Sequence, residues 1–287
     1  MMKHLTTAFA FTALASMSLW ANHPVLVEGN CNFAPAGSQP GAVPPGTCGD
    51  FDGDGRIGIL EDNDGTDRVF GTIAAAIGAN GVNNNGIITI VTSGTFPEVV
   101  TITGNVTLQA APGVIANIDA VLQGDAGTTA RQSQPGIIVN APANRYVVIR
   151  NIRSNNWTSG IQVNGASRVA IDNCVLENNI NYGIEVTGTS RVAITGSLVH
   201  ATGFRLNPAT GDFPATATPN PGKGIEFDDS STGSVFNTTV TGSFAAGISN
   251  MTTGKDKSVR VNHSHLFDNS PNLQGIKKSN DDDDKDR

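Results

Sequence analysis

The sequence predicts an all-β protein built as a single parallel β-helix, in which coils of short strands stack on one another. A Gly-Ile dipeptide that is predicted to open an extended strand recurs along the chain, at Gly136, Gly160, Gly183, Gly224, Gly247 and Gly275. Within each unit apolar and polar residues alternate, which is the periodicity of a strand. The composition agrees, because 33 glycines, 6% aromatic residues and few good helix formers in 287 residues suit one elongated β domain.

The repeat unit itself indicates how the strands are arranged. Two units align almost letter for letter, GIQVNGASRVAIDNCVLENN from Gly160 and GIEVTGTSRVAITGSLVHAT from Gly183, at a spacing of 23 residues. A unit of this length cannot bury its apolar side chains alone, so it must stack on its neighbours. No unit has the Leu-x-x-Leu-x-Leu pattern of leucine-rich repeats. The sequence therefore predicts a parallel β-helix.

Small polar residues recur at one place in four units, at Asn151, Cys174, Ser197 and Thr238. We expect this ladder to fill an interior corner of the solenoid. Cys174 is accordingly predicted to be a buried thiol rather than a nucleophile, since no His or Asn in a neighbouring unit is placed to activate it.

The N-terminal residues predict export. MMKH is followed by the apolar stretch LTTAFAFTALASMSLWA, and this pattern is typical of a signal peptide covering residues 1–21. No later apolar run is long enough to span a membrane. We therefore expect a secreted, extracellular or periplasmic protein, either soluble or associated with a surface.

Charge is distributed unevenly around a net value of −7. Residues 50–68 contain seven acids and two bases, and residues 280–287, a predicted disordered acidic tail, contain five acids and two bases. Residues 69–279 contain 12 acids and 13 bases and are therefore almost neutral. No broad basic stripe is present for nucleic acid, which is not an expected partner.

Cys31 and Cys48 are the two cysteines outside the repeats, and we expect them to form a disulfide in an oxidising compartment. The loop between them is rich in Gly and Pro, and crosslinking a loop of this length contributes about 3 kcal/mol of stability. The alternative is a pair of free thiols.

A calcium-binding loop is predicted directly after Cys48. Its proposed ligands are Asp50, Asp52, Asp54, the carbonyl oxygen of Arg56 and both carboxylate oxygens of Glu61, with Gly55 at the sharp turn. This spacing matches every fixed position of an EF-hand loop, which binds Ca²⁺ through oxygen atoms. No helix pair flanks the loop, so it resembles the isolated calcium loops of dockerin-like extracellular modules. A solvated acidic loop is the alternative interpretation.

The segment between the calcium loop and the first coils has helical spacing. In DRVFGTIAAAIGA, residues 67–79, Phe70, Ile73 and Ile77 lie on one face, and a short helix here would cap the open end of the stack. The predicted organisation is thus a signal peptide at 1–21, a disulfide and calcium-loop segment at 22–68, the β-helix at 69–279 and the tail at 280–287.

The order of these elements resembles the right-handed parallel β-helix, pectin-lyase-like superfamily. The resemblance rests on the short helix TIAAAI, the strands that follow it, and Gly94-Thr95-Phe96-Pro97-Glu98, which is similar to a Gly-x-Tyr-x-Glu segment of such proteins. It implies a right-handed solenoid and a polysaccharide ligand. In lyases with this fold, calcium neutralises a uronate while an Arg or Lys removes the adjacent proton. The catalytic signatures of the esterases and polygalacturonases of this fold are absent.

Candidate catalytic residues follow from the repeat period. Glu185 and Glu226 occupy the same place in successive units if the long segment 205–222 bulges out, which would put them about 4.8 Å apart on neighbouring strands. Such a pair shares a proton or a cation, or is merely solvated. Asp228 would lie on the same side, and Arg205, Lys223 or His200 would supply a base.

Four residues are candidates for contacts with sugars. Arg168 and Arg191 are equivalent in adjacent units and would bind a sugar carboxylate, pair with an acid or simply be solvated. Trp157 and Tyr182 end successive units and would either stack on sugar rings or hold coils together.

A pair of histidines is a further candidate for binding a metal. His263 and His265 alternate in SVRVNHSHLF and would face one way on a strand. No third ligand is evident in the sequence.

Two functional hypotheses remain at this point. The first is a secreted calcium-binding protein that contacts extracellular polysaccharide or cell-surface glycan, with or without lyase activity. The second is a non-catalytic extracellular scaffold or adhesion protein. The sequence leaves open whether the protein is an enzyme.

Overall fold

The computed structural model describes residues 25–29, 32–33, 41–42, 47–48, 56–57, 68–78, 84–122, 127–203, 222–253 and 259–276. The predicted signal peptide and acidic tail, Cys31, Arg205 and all of the proposed calcium ligands except Arg56 lie outside these ranges.

The N-terminal part of the described chain contains six short strands and one helix. They are β1 (Val25–Val27), β2 (Asn32–Phe33), β3 (Gly41–Ala42), β4 (Thr47–Cys48), β5 (Arg56–Ile57), β6 (Arg68–Phe70) and α1 (Ile73–Gly78).

Successive groups of three strands then form the coils. The first four coils contain β7 (Asn84–Ile90), β8 (Gly94–Phe96) and β9 (Val100–Ile102); β10 (Asn105–Ala110), β11 (Ala116–Asp119), helix α2 (Thr128–Arg131) and β12 (Ile137–Val139); β13 (Tyr146–Arg150), β14 (Ile152–Asn155) and β15 (Ser159–Val163); and β16 (Arg168–Asp172), β17 (Val175–Glu177) and β18 (Tyr182–Val186). The next three contain β19 (Arg191–Thr195), β20 (Leu198–His200) and β21 (Lys223–Phe227); β22 (Thr232–Phe236), β23 (Thr239–Thr241) and β24 (Ala246–Asn250); and β25 (Val259–Asn262), β26 (His265–Phe267) and β27 (Leu273–Gln274).

Equivalent strands of successive coils pair to form three long sheets. Sheet A has the order β6, β1, β7, β10, β13, β16, β19, β22 and β25; sheet B runs from β8 through β11, β14, β17, β20 and β23 to β26; sheet C runs from β9 through β12, β15, β18, β21 and β24 to β27. Pairing is parallel throughout these sheets. The predicted all-β parallel solenoid is therefore confirmed.

The apolar member of the Gly-Ile repeat forms the centre of the core. Ile137, Ile161, Ile184, Ile225 and Ile248 are register partners on five successive strands of sheet C, and all are fully buried. Stacking like residues in this way removes each apolar side chain from water only when its neighbouring coil is present.

The last Gly-Ile pair does not continue this column. Leu273, not Ile276, is the register partner of Ile248, so Asn272 occupies the place of the repeat glycine. Gly275 instead lies beyond the strand with a φ of 69°. The prediction that Gly275 opens the final strand is wrong, because the last coil has a different corner.

The corner between sheets A and B turns through one left-handed residue in each of the last five coils. These residues are Asn151, Asn173, Gly196, Asn237 and His263, with φ between 48° and 58°. Asn tolerates this conformation better than most residues, and the Asn173 side chain also donates a hydrogen bond to that of Asn151, at 2.8 Å.

The predicted polar ladder is correct for three of its four members. The backbone N–H of Cys174 donates to Ser197 Oγ at 3.1 Å, and that of Ser197 donates to Thr238 Oγ1 at 3.5 Å. Asn151 is one position out of register, because it is equivalent to Asn173. Cys174 is buried, and burial raises the pKa of its thiol to about 12, as expected for a core residue rather than a nucleophile.

The N-terminal end of the stack is closed by helix α1, as predicted, although the helix is shorter than its pattern suggested. Ile73 and Ile77 are buried, whereas Phe70 belongs to strand β6. The Glu98 carboxylate accepts hydrogen bonds from the backbone N–H groups of Ile73 and Ala74, both at 2.8 Å. Burial raises the pKa of Glu98, although these two bonds oppose the rise.

Strand β1 was not anticipated. It lies between β6 and β7 in sheet A and pairs with both. The stack therefore begins before residue 69, within the segment that the sequence assigned to the disulfide and calcium loop. Two further pairings involve this segment, since Phe33 is opposite Cys48 and Gly41 is opposite Ile57.

Both long interruptions of the coils occur at the corner between sheets B and C. One follows β11 and contains helix α2, and the other separates β20 from β21. The ends of the second interruption lie close together, since a Cβ atom built on Gly203 would be 3.0 Å from the Cα atom of Gly222. Strand β21 consequently returns to the same register as its neighbours.

Candidate functional site

The outer face of sheet C brings Glu185 and Glu226 together, as the repeat period predicted. They are register partners on β18 and β21, and the same row continues through the outward side chains Gln162, Glu185, Glu226, Ser249 and Gln274, which we call the Glu row. Neighbouring members of such a row are about 4.8 Å apart. A linear ligand along the solenoid axis would reach Gln162, Glu185 and Gln274, whereas Glu226 and Ser249 are buried.

Glu226 is almost buried, with 5% of its surface exposed, and its charge is compensated. Lys223, three residues earlier on the same strand, forms an ion pair with Glu226 Oε1. Removing either partner would leave the other charge with little solvent, which is strongly unfavourable. Lys223 is one of the candidate bases. The structure places it beside the predicted carboxylate of Glu226, but its ammonium group is already occupied by this ion pair.

Glu185 is held by neutral donors from the preceding coil. Its Oε2 atom accepts hydrogen bonds from Ser159 Oγ and Gln162 Nε2, both at 2.9 Å. Neither Ser159 nor Gln162 has a role in the site predicted from the sequence, although the repeat places Gln162 in line with Glu185. They are the register partners of Tyr182 and Glu185, so counting the period back by one more unit would have identified them.

Tyr182 lies in this polar cluster. Burial raises the pKa of its phenol, and the charges of Glu226 and Glu185 together with a hydrogen bond to Glu226 raise it further. The phenol therefore stays protonated and acts as a donor to the carboxylate. Asp228 follows β21 and is half-buried, and its negative charge also raises the pKa of Tyr182. Its Oδ1 atom accepts a hydrogen bond from the backbone N–H of Asp229 at 2.7 Å.

Trp157 does not join the cluster. Its side chain is fully buried, and its indole Nε1–H donates to the carbonyl oxygen of Ile118 at 2.9 Å. Stacking on a sugar is incompatible with this burial, whereas the alternative role, holding coils together, agrees with it. The repeat period predicts where a residue falls along the coil, but at a corner it does not predict on which side of the backbone the side chain lies.

The predicted arginine pair exists but lies on another face. Arg168 and Arg191 are register partners on β16 and β19 in sheet A, and both are exposed. The structure therefore separates them from the Glu row. His200, another candidate base, lies on sheet B, where its Nδ1 atom is 3.9 Å from Glu177 Oε1.

The histidine pair is also rearranged. His263 is the left-handed corner residue of its coil and its ring contacts Phe236 with 5.2 Å between centroids, while His265 begins β26. The two do not share a strand, so the expectation that they face one way along a strand is wrong. Within the ranges that the structure describes, no group of three or more His, Cys, Asp or Glu side chains could hold a metal ion.

The proposed calcium ligands and disulfide remain predictions. Of the calcium loop, only Arg56 and Ile57 are described, as strand β5. Cys31 lies outside the described residues, so its pairing with Cys48 is not seen. None of the described helices has the length and apolar character needed to cross a membrane.

The three parallel sheets, their outward polar rows and the one-residue corners define a parallel β-helix protein. A family model described as the right handed beta helix region matches residues 80–264, which is more than half of the chain. The chain belongs to this right-handed β-helix family. No curated protein and no solved structure matches the sequence.

Proposed function

We propose that this β-helix is a secreted, calcium-binding protein that contacts an extracellular polysaccharide through the outer face of sheet C. The observation that carries the proposal is the Glu row, whose polar side chains are aligned over five successive coils and reach the surface at Gln162, Glu185 and Gln274. Hydroxyl-rich polymers are matched by such repeated donors and acceptors, and strands position these groups more rigidly than loops do.

The geometry favours contact without cleavage. A lyase needs a base that can remove a proton next to the uronate carboxylate, but Lys223 is already bound to Glu226. On the described part of this face, Glu185, Glu226 and Asp228 outnumber that one cation, so a uronate carboxylate would be repelled. The adjacent carboxylates are the observation that keeps a second candidate, carbohydrate cleavage, worth testing.

Binding to a panel of neutral and uronate polysaccharides, measured by retardation in native gels, tests the proposal. We expect Glu185→Ala to weaken binding of the preferred glycan at least about tenfold, because a hydrogen bond to a charged group contributes about 1.5–3 kcal/mol. Glu177→Ala is the matched control, since Glu177 lies on sheet B of the same coil. Absence of binding to every glycan, or an equal loss in both variants, would refute contact through sheet C.

The same samples test cleavage. Release of unsaturated products, followed by their ultraviolet absorbance, would establish a lyase and replace the non-catalytic proposal. Loss of that activity in Glu185→Gln would assign it to the Glu row.

Calcium binding by Asp50, Asp52, Asp54, Arg56 and Glu61 is a separate proposal with its own test. Because a ligand that binds only the folded state stabilises it by about 2.7 kcal/mol at 100 times its dissociation constant, chelation is expected to lower the thermal unfolding midpoint. Glu61→Gln should abolish this sensitivity to chelator. Asp284→Asn, which removes one charge from the acidic tail, should retain it; identical midpoints with calcium and with chelator in the parent protein would contradict the proposal.

A further inference from the structure

We propose that the outer face of sheet A is a second polymer-binding surface, which takes an anionic polysaccharide along Tyr146, Arg168 and Arg191. This inference concerns a different face from the proposed function and does not depend on it. We call these three side chains the Arg row.

The Arg row is continuous along the solenoid. Tyr146, Arg168 and Arg191 are register partners on β13, β16 and β19, so that they rise one coil at a time at the spacing of strands in a sheet, about 4.8 Å. All three side chains are exposed, and 55% of the surface of Tyr146 is accessible. A polymer running parallel to the axis would cross the aromatic ring first and then both guanidinium groups.

The two arginines carry like charges on adjacent strands. Like charges on neighbouring strands destabilise a sheet. Among the salt bridges of the described residues none involves Arg168 or Arg191, whereas Arg150, at the other edge of the same face, has its Nε atom 3.2 Å from Asp172 Oδ2. An anion that bridges both guanidinium groups would remove this repulsion.

The surface of sheet A beside the Arg row carries only small side chains. Ala170 and Ala193 are the outward residues two positions further along β16 and β19 and are register partners of each other. Their small side chains leave space next to the arginines, so that a ligand could approach the guanidinium groups from the side as well as from above. Arg150 and Asp172, which are hydrogen-bonded to each other, lie on the far side of these two alanines from the Arg row.

The chemistry of the row selects the class of ligand. Guanidinium groups bind carboxylate or sulfate oxygens in a two-pronged geometry, and they do so at fixed spacing when held on strands. The Tyr146 ring offers an apolar face with a polar tip, which suits the mixed surface of a sugar ring. Two positive charges and one aromatic ring match a polysaccharide with one acidic group per sugar residue better than a nucleic-acid duplex, whose phosphates are more densely charged.

An oligouronate and its methyl ester, which share a sugar backbone and differ in charge, are the probes. With the full chain at low ionic strength, calorimetric titration should show tighter binding of the oligouronate, and Arg168→Gln with Arg191→Gln should weaken it at least about tenfold. The control Arg150→Gln removes an arginine of the same face and should leave affinity unchanged. Tyr146→Ala should weaken binding of both probes.

Three results would overturn the inference. They are equal affinity for the oligouronate and its ester, an equal loss in the double variant and in Arg150→Gln, and binding of a DNA duplex as tight as that of the oligouronate, which would indicate a general polyanion surface. The Glu185→Ala variant separates this inference from the proposed function. It should bind the oligouronate normally, and loss of oligouronate binding there would assign the ligand to sheet C instead.

Discussion

Replacing Gly183 by alanine is expected to prevent the coils on either side of β18 from stacking. A Cβ atom at this position would lie 2.3 Å from Val199 Cγ1 and 2.6 Å from the carbonyl oxygen of Gly224. The first contact is with a fully buried side chain and the second with the backbone of the next coil, so neither can move easily. Overpacking of this kind costs about 3 kcal/mol or more when backbone must shift.

Urea unfolding followed by circular dichroism measures this effect. Gly78→Ala is the control, because a Cβ atom at Gly78 would meet nothing within 4 Å and alanine is the better helix former. We expect an unfolding midpoint close to the parent value for Gly78→Ala and a much lower midpoint, or no folded protein, for Gly183→Ala. A parent-like midpoint for Gly183→Ala would show that β18 and β21 are not packed as closely as described.

Truncating Trp157 is expected to have the next largest effect. Trp157→Ala removes a fully buried indole together with the hydrogen bond that its Nε1–H donates to the carbonyl oxygen of Ile118. Core substitutions of this type typically cost about 3–5 kcal/mol of unfolding free energy. Tyr146→Ala, which shortens an exposed aromatic side chain, should change stability by less than about 0.5 kcal/mol.

A second substitution checks that the loss arises from packing. The indole occupies the space that Gly136 leaves open, since a Cβ atom on Gly136 would be 2.6 Å from its Cδ1 and Nε1 atoms. Gly136→Ala should therefore destabilise the parent more than it destabilises the Trp157→Ala variant, in a double-mutant cycle of unfolding free energies. Strictly additive effects would mean that the two residues do not share this space.

Much of the fold could be predicted because the solenoid is periodic. Each Gly-Ile unit had to place Ile161, Ile184 and Ile225 in one column, and the same period put Glu185 beside Glu226 across a long interruption. Strand β1 could not be found in this way, since residues 25–27 are not a repeat and their pairing depends on contacts distant in sequence.

The candidate site was predicted less completely. The repeat period and the alternation of polar and apolar residues predicted the positions of Glu185 and Tyr182. They could not predict the hydrogen bond from Ser159 to Glu185 or the ion pair between Lys223 and Glu226, because both depend on the direction of a side chain next to a repeat glycine. At corners the pattern is less accurate, because it predicts Cys174, Ser197 and Thr238 correctly but is wrong at Trp157, Asn151 and Gly275. The division between the Glu row and the Arg row required knowing that Arg191 and Glu185 lie on different sheets.

The corner between sheets B and C has a practical consequence for protein engineering. Because Gly203 and Gly222 meet at the ends of the segment 204–221, the register of β21 is set by the sheet and not by what connects it to β20. A different peptide whose ends are close together could replace that segment and be displayed beside sheet C. The segment between Gly203 and Gly222 is therefore a site where a foreign peptide could be inserted into the solenoid. The corner between sheets A and B is not such a site, because the single residue Asn173 turns the chain there.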